Sequence, residues 1–357
     1  MTTAPDLTRL VEDIRQWGNA LGFRDIRISD TNLSVAEQAF NAWLLKGFHG
    51  DMDYMARHGS KRTRPAELEP GTISIISARM DYYPNNSRDP WAVLDDSSLG
   101  YVSRYALGRD YHKLMRKRLQ HLARQIEAAT EPFGYRVFVD SAPVLEKPIA
   151  AKAGIGWTGK HSNILARDGS WFFLGEIYTS LPLPPDSPVS DHCGRCTACI
   201  DICPTRAIVE PGIVDARLCI SYLTIENRGA IPIELRPLIG NRIYGCDDCQ
   251  LVCPWNRFAN STTIPDFDVR NGLDGATLID LFRWTEKEFL QRLEGSPIRR
   301  IGHSSWLRNI AVALGNGEAT PAAIAALEKK RHHPDPVVAE HINWAIMQLT
   351  DRDAIST

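Results

Sequence analysis

Long apolar runs are missing from this chain: nowhere in its 357 residues do eighteen apolar residues stand together, which excludes a helix that spans a membrane. An excess of one charge is missing too. With 41 Lys and Arg against 43 Asp and Glu the formal net charge is −2, so no global basic field draws in a polyanion, and any nucleic-acid contact has to use local patches. The opening stretch MTTAPDLTRLVEDIRQWG has neither an apolar signal core nor paired arginines, and the expected location is the cytoplasm. Familiar cofactor signatures are absent as well. No GxGxxG follows a strand to open a nucleotide-binding helix, no GxxxxGKS/T occurs, and DxHxxG, the usual cobalamin lower-ligand motif, is not found.

Cysteine, by contrast, is concentrated. All eight fall between Cys193 and Cys253, and in a chain read as cytoplasmic that clustering points to metal ligation rather than disulfides. The first run, CGRCTACIDICP, supplies Cys193, Cys196, Cys199 and Cys203 before Pro204. Three cysteines spaced by two residues wrap three corners of a cubane, while the fourth points away to a second cluster. The second run, CDDCQLVCP, supplies Cys246, Cys249 and Cys253, and the lone Cys219 replaces the cysteine this copy lacks. The crossover rule then assigns Cys193, Cys196, Cys199 and Cys253 to cluster one, and Cys203, Cys219, Cys246 and Cys249 to cluster two. The alternative is a pair of zinc knuckles, but zinc does not need a three-plus-one run followed by proline twice over.

The length allows two or three domains. Up to about Pro184, short apolar runs alternate with helical stretches. Thr72–Ala78, Tyr135–Val144 and Ser170–Thr179 read as strands, and Leu7–Leu21, Val35–Leu45 and Tyr111–Ala128 as helices. An α/β or α+β domain over 1–185 follows, ended by the prolines at 182, 184, 185 and 188. Residues 186–258 form a ferredoxin-like dicluster insert. Residues 259–357 turn helical: Leu307, Ile310, Ala311 and Leu314 share one face, as do Val338, Ile342, Ala345 and Leu349. Asn309 and Ala311 recur as Asn343 and Ala345 at an offset of 34, and the tail is read as HEAT-like. A bare dicluster ferredoxin needs far fewer residues, so the surplus should hold a substrate or a second cofactor.

Six stretches in order resemble the epoxyqueuosine reductases, which finish the queuosine base of tRNA with cobalamin and two [4Fe–4S] clusters. They are KRTRP from Lys61, GRDYH from Gly108, VDSAPVLEKPIAAKAGIGWTGKHSNIL from Val139, CGRCTACIDICPTRAI from Cys193, CISYLTIENRG from Cys219 and IGNRIYGCDDCQLVCPWN from Ile239. The resemblance covers roughly residues 5–350. It implies an oxidoreductase in which cobalamin is bound without a histidine below cobalt, so the missing DxHxxG is expected. It implies a tRNA anticodon arm and an external electron donor as partners, and a monomer.

The resemblance also makes Asp140 the proton donor, at the end of the strand-like YRVFVD; burial beside an apolar corrin should raise its pKa. A turn-capping aspartate is the plainer reading. Arg62, Ser103, Asp140, Ile164, Leu174, Ser221 and Asp247 fall where the family lines cobalamin; some members have cysteine where this chain has Ser103. Gly154, Gly156 and Gly159 would let backbone approach a ligand, with Lys160 and His161 free to meet phosphate or amide groups.

Arg104, Arg109, Lys113, Arg116, Lys117, Arg118 and Arg124 crowd one segment around Tyr105 and Tyr111. They form either a solvated helix face or a phosphate track, with Arg228, Arg299, Arg300, Arg308 and Lys329 to Arg331 as further candidates. Trp157, Trp171 and Trp284 suit core packing better than stacking on a ligand. Two rival functions stay open: a non-enzymatic dicluster electron carrier docking on a partner enzyme, and a cytoplasmic corrinoid reductive dehalogenase.

Overall fold

The computed structural model describes residues 6–356, so the first five residues of the opening stretch lie outside it. Helix α1 (Leu7–Ala20), strand β1 (Asp25–Asp30), helix α2 (Ser34–Leu45), strand β2 (Ser74–Asp81), the short strand β3 (Tyr101–Val102), helix α3 (Tyr111–Ala129), strand β4 (Tyr135–Val139), helix α4 (Glu146–Ala153) and strand β5 (Phe172–Thr179) follow in order. Strands β1, β2, β5 and β4 form one sheet in that order, and every neighbouring pair is antiparallel.

The two central strands are buried nearly throughout, because helices cover both faces. On one face Ile28, Ile76 and Ile177, in register across the sheet, meet Ile14 of α1 and Met115 and Leu119 of α3. On the other, Ile75, Tyr178 and Phe138 meet Ile149 of α4. Each such aliphatic side chain taken from water contributes about 1.5–3 kcal/mol. Helices α1 and α3 start on aspartate caps: Asp6 accepts from the Thr8 and Arg9 amides, and Asp110 from the His112 amide.

Two departures from the sequence reading bear on function. The strand expected over Tyr135–Val144 stops at Val139, and Asp140 begins the turn. Strand β1, DIRISD, escapes the sequence reading because its charged residues mask an edge strand with one buried face.

Beyond the prolines, helix α5 (Ile220–Ile225), strand β6 (Arg242–Tyr244) and helices α6 (Gly302–Asn316), α7 (Pro321–Glu328) and α8 (Pro336–Ser356) follow. Both apolar faces expected in the tail are buried in one core. That core also takes in Val102, Ala106, Leu107, Leu223 and Ile243, and β6 pairs in parallel with β3. Tail, insert and first domain are thus packed together. Asn309 donates to the Thr224 and Ile243 carbonyls across this junction, whereas Asn343 bonds Ala339 of its own helix. The two asparagines at the 34-residue offset therefore do different work. Among the described residues no helix is long and apolar enough to cross a membrane.

Candidate active site

A cavity of about 460 Å³ opens where β5 and the turn after β4 meet β3 and the insert. Ser103, Asp140, Ile164, Leu174, Ser221 and Asp247 line it together with Phe172, Tyr111 and Tyr54. Arg62 does not line it: its buried guanidinium donates to the carbonyls of Tyr54 (2.8 Å) and Met55 (3.1 Å), holding the loop whose Met52 and Tyr54 form part of the wall. The Asp247 carboxylate is already engaged. Ser103 Oγ (2.6 Å), Tyr101 Oη (2.8 Å) and the Arg104 amide (2.8 Å) all donate to it, tying insert to first domain.

Asp140 ends a chain of charge-assisted hydrogen bonds. His112 lies with Nδ1 2.5 Å from Asp110 and Nε2 2.6 Å from Asp140, and the Tyr111 hydroxyl donates to the other Asp140 oxygen. Tyr111 is fixed by parallel stacking on Phe173, with centroids 3.7 Å apart. Burial alone would lower the His112 pKa, but its hydrogen bonds to Asp110 and Asp140 outweigh that and raise it to about 9. Burial likewise pulls Asp140 upward, yet the hydrogen bond and charge of His112, then the Tyr111 hydroxyl, hold it below its ordinary value. The expectation of a raised Asp140 pKa is therefore corrected. At neutral pH Asp140 is a carboxylate with about a third of its side chain open, and the proton sits on His112.

Within GRDYH, the sequence alone assigns no role to Asp110, Tyr111 or His112, and it gives no sign of Glu146 and Lys147. Both of the latter line the cavity from the start of α4. Lys147 donates to Asn163 (3.0 Å), and burial pushes its pKa down. Arg300, expected only as a phosphate contact, also lines the cavity, beside Tyr105 and Tyr244.

Other candidates move elsewhere. The Gly154–Gly159 run matches GxGxxG by letter but follows helix α4. Gly154 (φ +85°) terminates that helix, and a Cβ on Gly156 would fall 2.0 Å from the Leu165 carbonyl oxygen. Lys160 donates to the Gly194 and Cys196 carbonyls at 2.8 Å each, so it supports the first cysteine loop. His161 is buried, and burial with the nearby charge of Lys147 lowers its pKa to about 4, so it is neutral and cannot serve as a cationic phosphate contact. Trp157, Trp171 and Trp284 are buried. Arg104 and Arg308 are buried too, and Arg308 donates to the carbonyls of Leu223, Asn227 and Gly229. Neither belongs to a surface phosphate track. Arg116, Lys117 and Arg124 are exposed on α3, while Arg118 donates to the Leu21 carbonyl.

The cysteines are free of disulfides. Cys193, Cys196, Cys199 and Cys253 surround a second cavity of about 390 Å³. After burial, it is the other three of this set that raise the Cys199 pKa, to about 11. Cys249 is likewise raised by burial, then by Cys219, Asp247, Cys199 and Cys203, so the second group of cysteines stands beside the first. Among the described residues no three Cys, His, Asp or Glu side chains converge tightly enough for a single metal ion. Four sulfurs spread around one cavity suit a cubane. Cys219 and Cys246 also line the large cavity, placing the second group of cysteines against it.

Comparison with known proteins agrees with this layout. The family described as Epoxyqueuosine reductase QueG, DUF1730, matches residues 62–141, and the 4Fe-4S double cluster binding domain matches residues 192–256. The epoxyqueuosine reductase of Pseudomonas aeruginosa is 59% identical over 96% of this chain and 95% of its own length. That of Escherichia coli is 57% identical over 99% and 93%. A crystal structure of epoxyqueuosine reductase with a tRNA-Tyr epoxyqueuosine-modified stem loop superposes with a TM-score of 0.87 at 27% identity, covering 98% of this chain and 93% of that one. With such identity along nearly its whole length, the chain belongs to the epoxyqueuosine reductase family.

Proposed function

We propose that this protein reduces the epoxide of epoxyqueuosine in tRNA to queuosine, the last step in making that base. The observation that carries the reading is one cavity with the Asp140–His112 acid chain on one side and Cys219 and Cys246 on another. An electron carrier that only docks on a partner has no use for such a chain, and the family supports the tRNA substrate over a halogenated one.

Cys193, Cys196, Cys199 and Cys253 would hold cluster one, and Cys203, Cys219, Cys246 and Cys249 cluster two; the clusters would supply single electrons beside the large cavity, which Cys219 and Cys246 line. The lining of the cavity suits the face of a corrin. Ile164, Phe172 and Leu174 offer an apolar wall for a flat macrocycle, and no histidine among the described residues lines it, as binding without a lower histidine requires. Ser103, Ser221 and the backbone around Asp247 supply polar contacts, with Arg62 acting through the Tyr54 loop. When bound, cobalamin supplies a strongly reducing, nucleophilic metal centre. Asp140 presents the proton held with His112 to the opening epoxide oxygen, and Tyr111 orients the carboxyl.

The helical tail is read as HEAT-like and, with Arg116, Lys117 and Arg300, as the part that steadies the anticodon arm. The protein acts as a monomer in the cytoplasm and takes electrons from an external donor. Anaerobic purification with added cobalamin tests the cofactor reading. A retained corrin absorption spectrum beside that of the clusters supports it, and a protein that keeps its clusters but releases all corrin on gel filtration overturns it.

A further inference from the structure

Electrons bound for the large cavity have to enter the chain somewhere, and the two groups of cysteines lie differently. Cys219 and Cys246 line the large cavity, so the second group is the inner one. The first group faces outward: Cys193, Cys196, Cys199 and Cys253 surround the smaller cavity, and Cys196 stands exposed at its edge. The two cavities share no lining residue. Electron transfer between centres falls off steeply with distance, so entry belongs at the exposed group.

The surface around that group has the make-up of an interface. Across the cavity from Cys196, the short turn Pro254–Phe258 carries Trp255, Arg257 and Phe258. Trp255 is half-buried and packs edge-on against Trp157, with centroids 5.1 Å apart, which fixes the turn. Phe258, next in the aromatic row, is 50% exposed, and the exposed Arg257 guanidinium lies 4.7 Å above its ring. A large aromatic side chain held in solvent beside arginine is the combination enriched at the centre of protein interfaces.

Charge around this cavity has one sign. Lys160 and Arg257 line it, and no Asp or Glu does so among the described residues. Arg195, beside Cys196, adds a third cation and is exposed. The exposed acids of the same cysteine loop are engaged within it: Asp191 accepts from the Cys193 amide and Asp201 from the Thr197 hydroxyl, both at 2.7 Å. In a chain of net charge −2 this is a local basic collar, and it encircles an exposed cluster ligand. It is not at the mouth of the large cavity where a base has to enter, which favours an acidic redox protein over tRNA as its partner.

We propose that this face docks a small acidic one-electron carrier protein, which delivers electrons to the first group of cysteines. Arg195 and Arg257 meet carboxylates around the carrier's prosthetic group, and Phe258 packs against the apolar centre of its surface. One electron passes at each encounter: the carrier is oxidised by one, the cluster held by Cys193, Cys196, Cys199 and Cys253 is reduced by one, and no bond forms or breaks. This assignment rests on the cluster reading proposed above.

The test uses the full chain loaded anaerobically with both clusters, shown by about eight iron per chain. It needs neither cobalamin nor epoxyqueuosine, so its outcome is separate from that of the proposed reaction. Stopped-flow mixing with an acidic flavodoxin in its hydroquinone form reads cluster reduction and flavin oxidation together. The second-order rate should fall about tenfold or more as salt rises from about 20 mM to about 300 mM, and Arg195→Glu combined with Arg257→Glu should lower it about tenfold at low salt. Phe258→Ala should weaken binding of oxidised flavodoxin about fivefold or more, read by surface plasmon resonance. Reduction of the same variants by the small methyl viologen radical cation should be no slower than that of the parent, because their clusters are intact and only docking is lost. The salt dependence of the parent stands by itself where a variant does not load its clusters. A flavodoxin rate indifferent to salt, a charge-reversed chain reduced within about twofold of the parent rate, or an equal loss with methyl viologen overturns the proposal. So does a loss of tRNA affinity in the charge-reversed chain as large as its loss of flavodoxin affinity, which would give this face to a phosphate backbone.

Discussion

His112 Nε2 lies 2.6 Å from an Asp140 oxygen, and this contact moves the acidic proton of the site from the carboxyl to the imidazole. Asp110, 2.5 Å from the other ring nitrogen, keeps the imidazole charged. The acid that meets substrate and the group that stores its proton are thus different residues.

Replacing Asp140 by Asn should leave both clusters and cobalamin bound, since the amide is nearly isosteric with the carboxyl. Conversion of pre-reduced enzyme and epoxyqueuosine-bearing tRNA in a single turnover should fall by about a hundredfold to ten-thousandfold, roughly 3 to 5.5 kcal/mol of barrier. A rate within a few-fold of the parent would return Asp140 to capping its turn.

The His112 contact carries a pH dependence. Its folded pKa, about 9, lies above the ordinary 6.5, so the stability it contributes is complete below pH 6.5 and is lost as pH rises through about 9. Thermal melts of the parent and His112→Gln should therefore differ most just below pH 6.5 and converge in alkali. A gap that widens above about pH 9 would contradict the charged imidazole.

Changing Cys219 to Ala should remove cluster two alone, halving iron from about eight to about four per chain. Cys219 takes no part in the cavity formed by Cys193, Cys196, Cys199 and Cys253. Iron analysis with electron paramagnetic resonance reads the outcome, and disappearance of both clusters from a folded variant would refute the pairing.

Binding of tRNA should weaken with salt, and removing the charges of Arg116 and Lys117 should lower the slope by about one for each phosphate they neutralise. Adding Arg118 to the substitution should change the slope no further, because its guanidinium is engaged by the Leu21 carbonyl. An unchanged slope in the double variant would make this helix face merely solvated.

The cluster ligands are legible in the sequence because ligation is written in local spacing. Tail faces such as Leu307, Ile310 and Leu314 are legible because a helix repeats its buried side every 3.6 residues. Burial of charge is not. Arg104 and Arg308 look like surface cations in a row of basic residues, and only the fold shows the carbonyls that Arg308 satisfies. Glu176, one charged letter in a strand of apolar ones, becomes distinctive only when helices cover both faces of the sheet and bury it. The direction of the Asp140 shift is hidden for the same reason: the sequence points to burial, but the imidazolium that outweighs it comes from α3, distant in sequence.

The most direct test of the central claim is a single turnover under strict anaerobiosis. Protein loaded with cobalamin and both clusters, and chemically pre-reduced, is mixed with epoxyqueuosine-bearing tRNA, and the nucleosides are then resolved by mass spectrometry. The account predicts queuosine in step with oxidation of the bound centres, two electrons for each base converted. Centres that stay reduced while epoxyqueuosine persists, in protein shown to hold all its cofactors and to bind the tRNA, would contradict it.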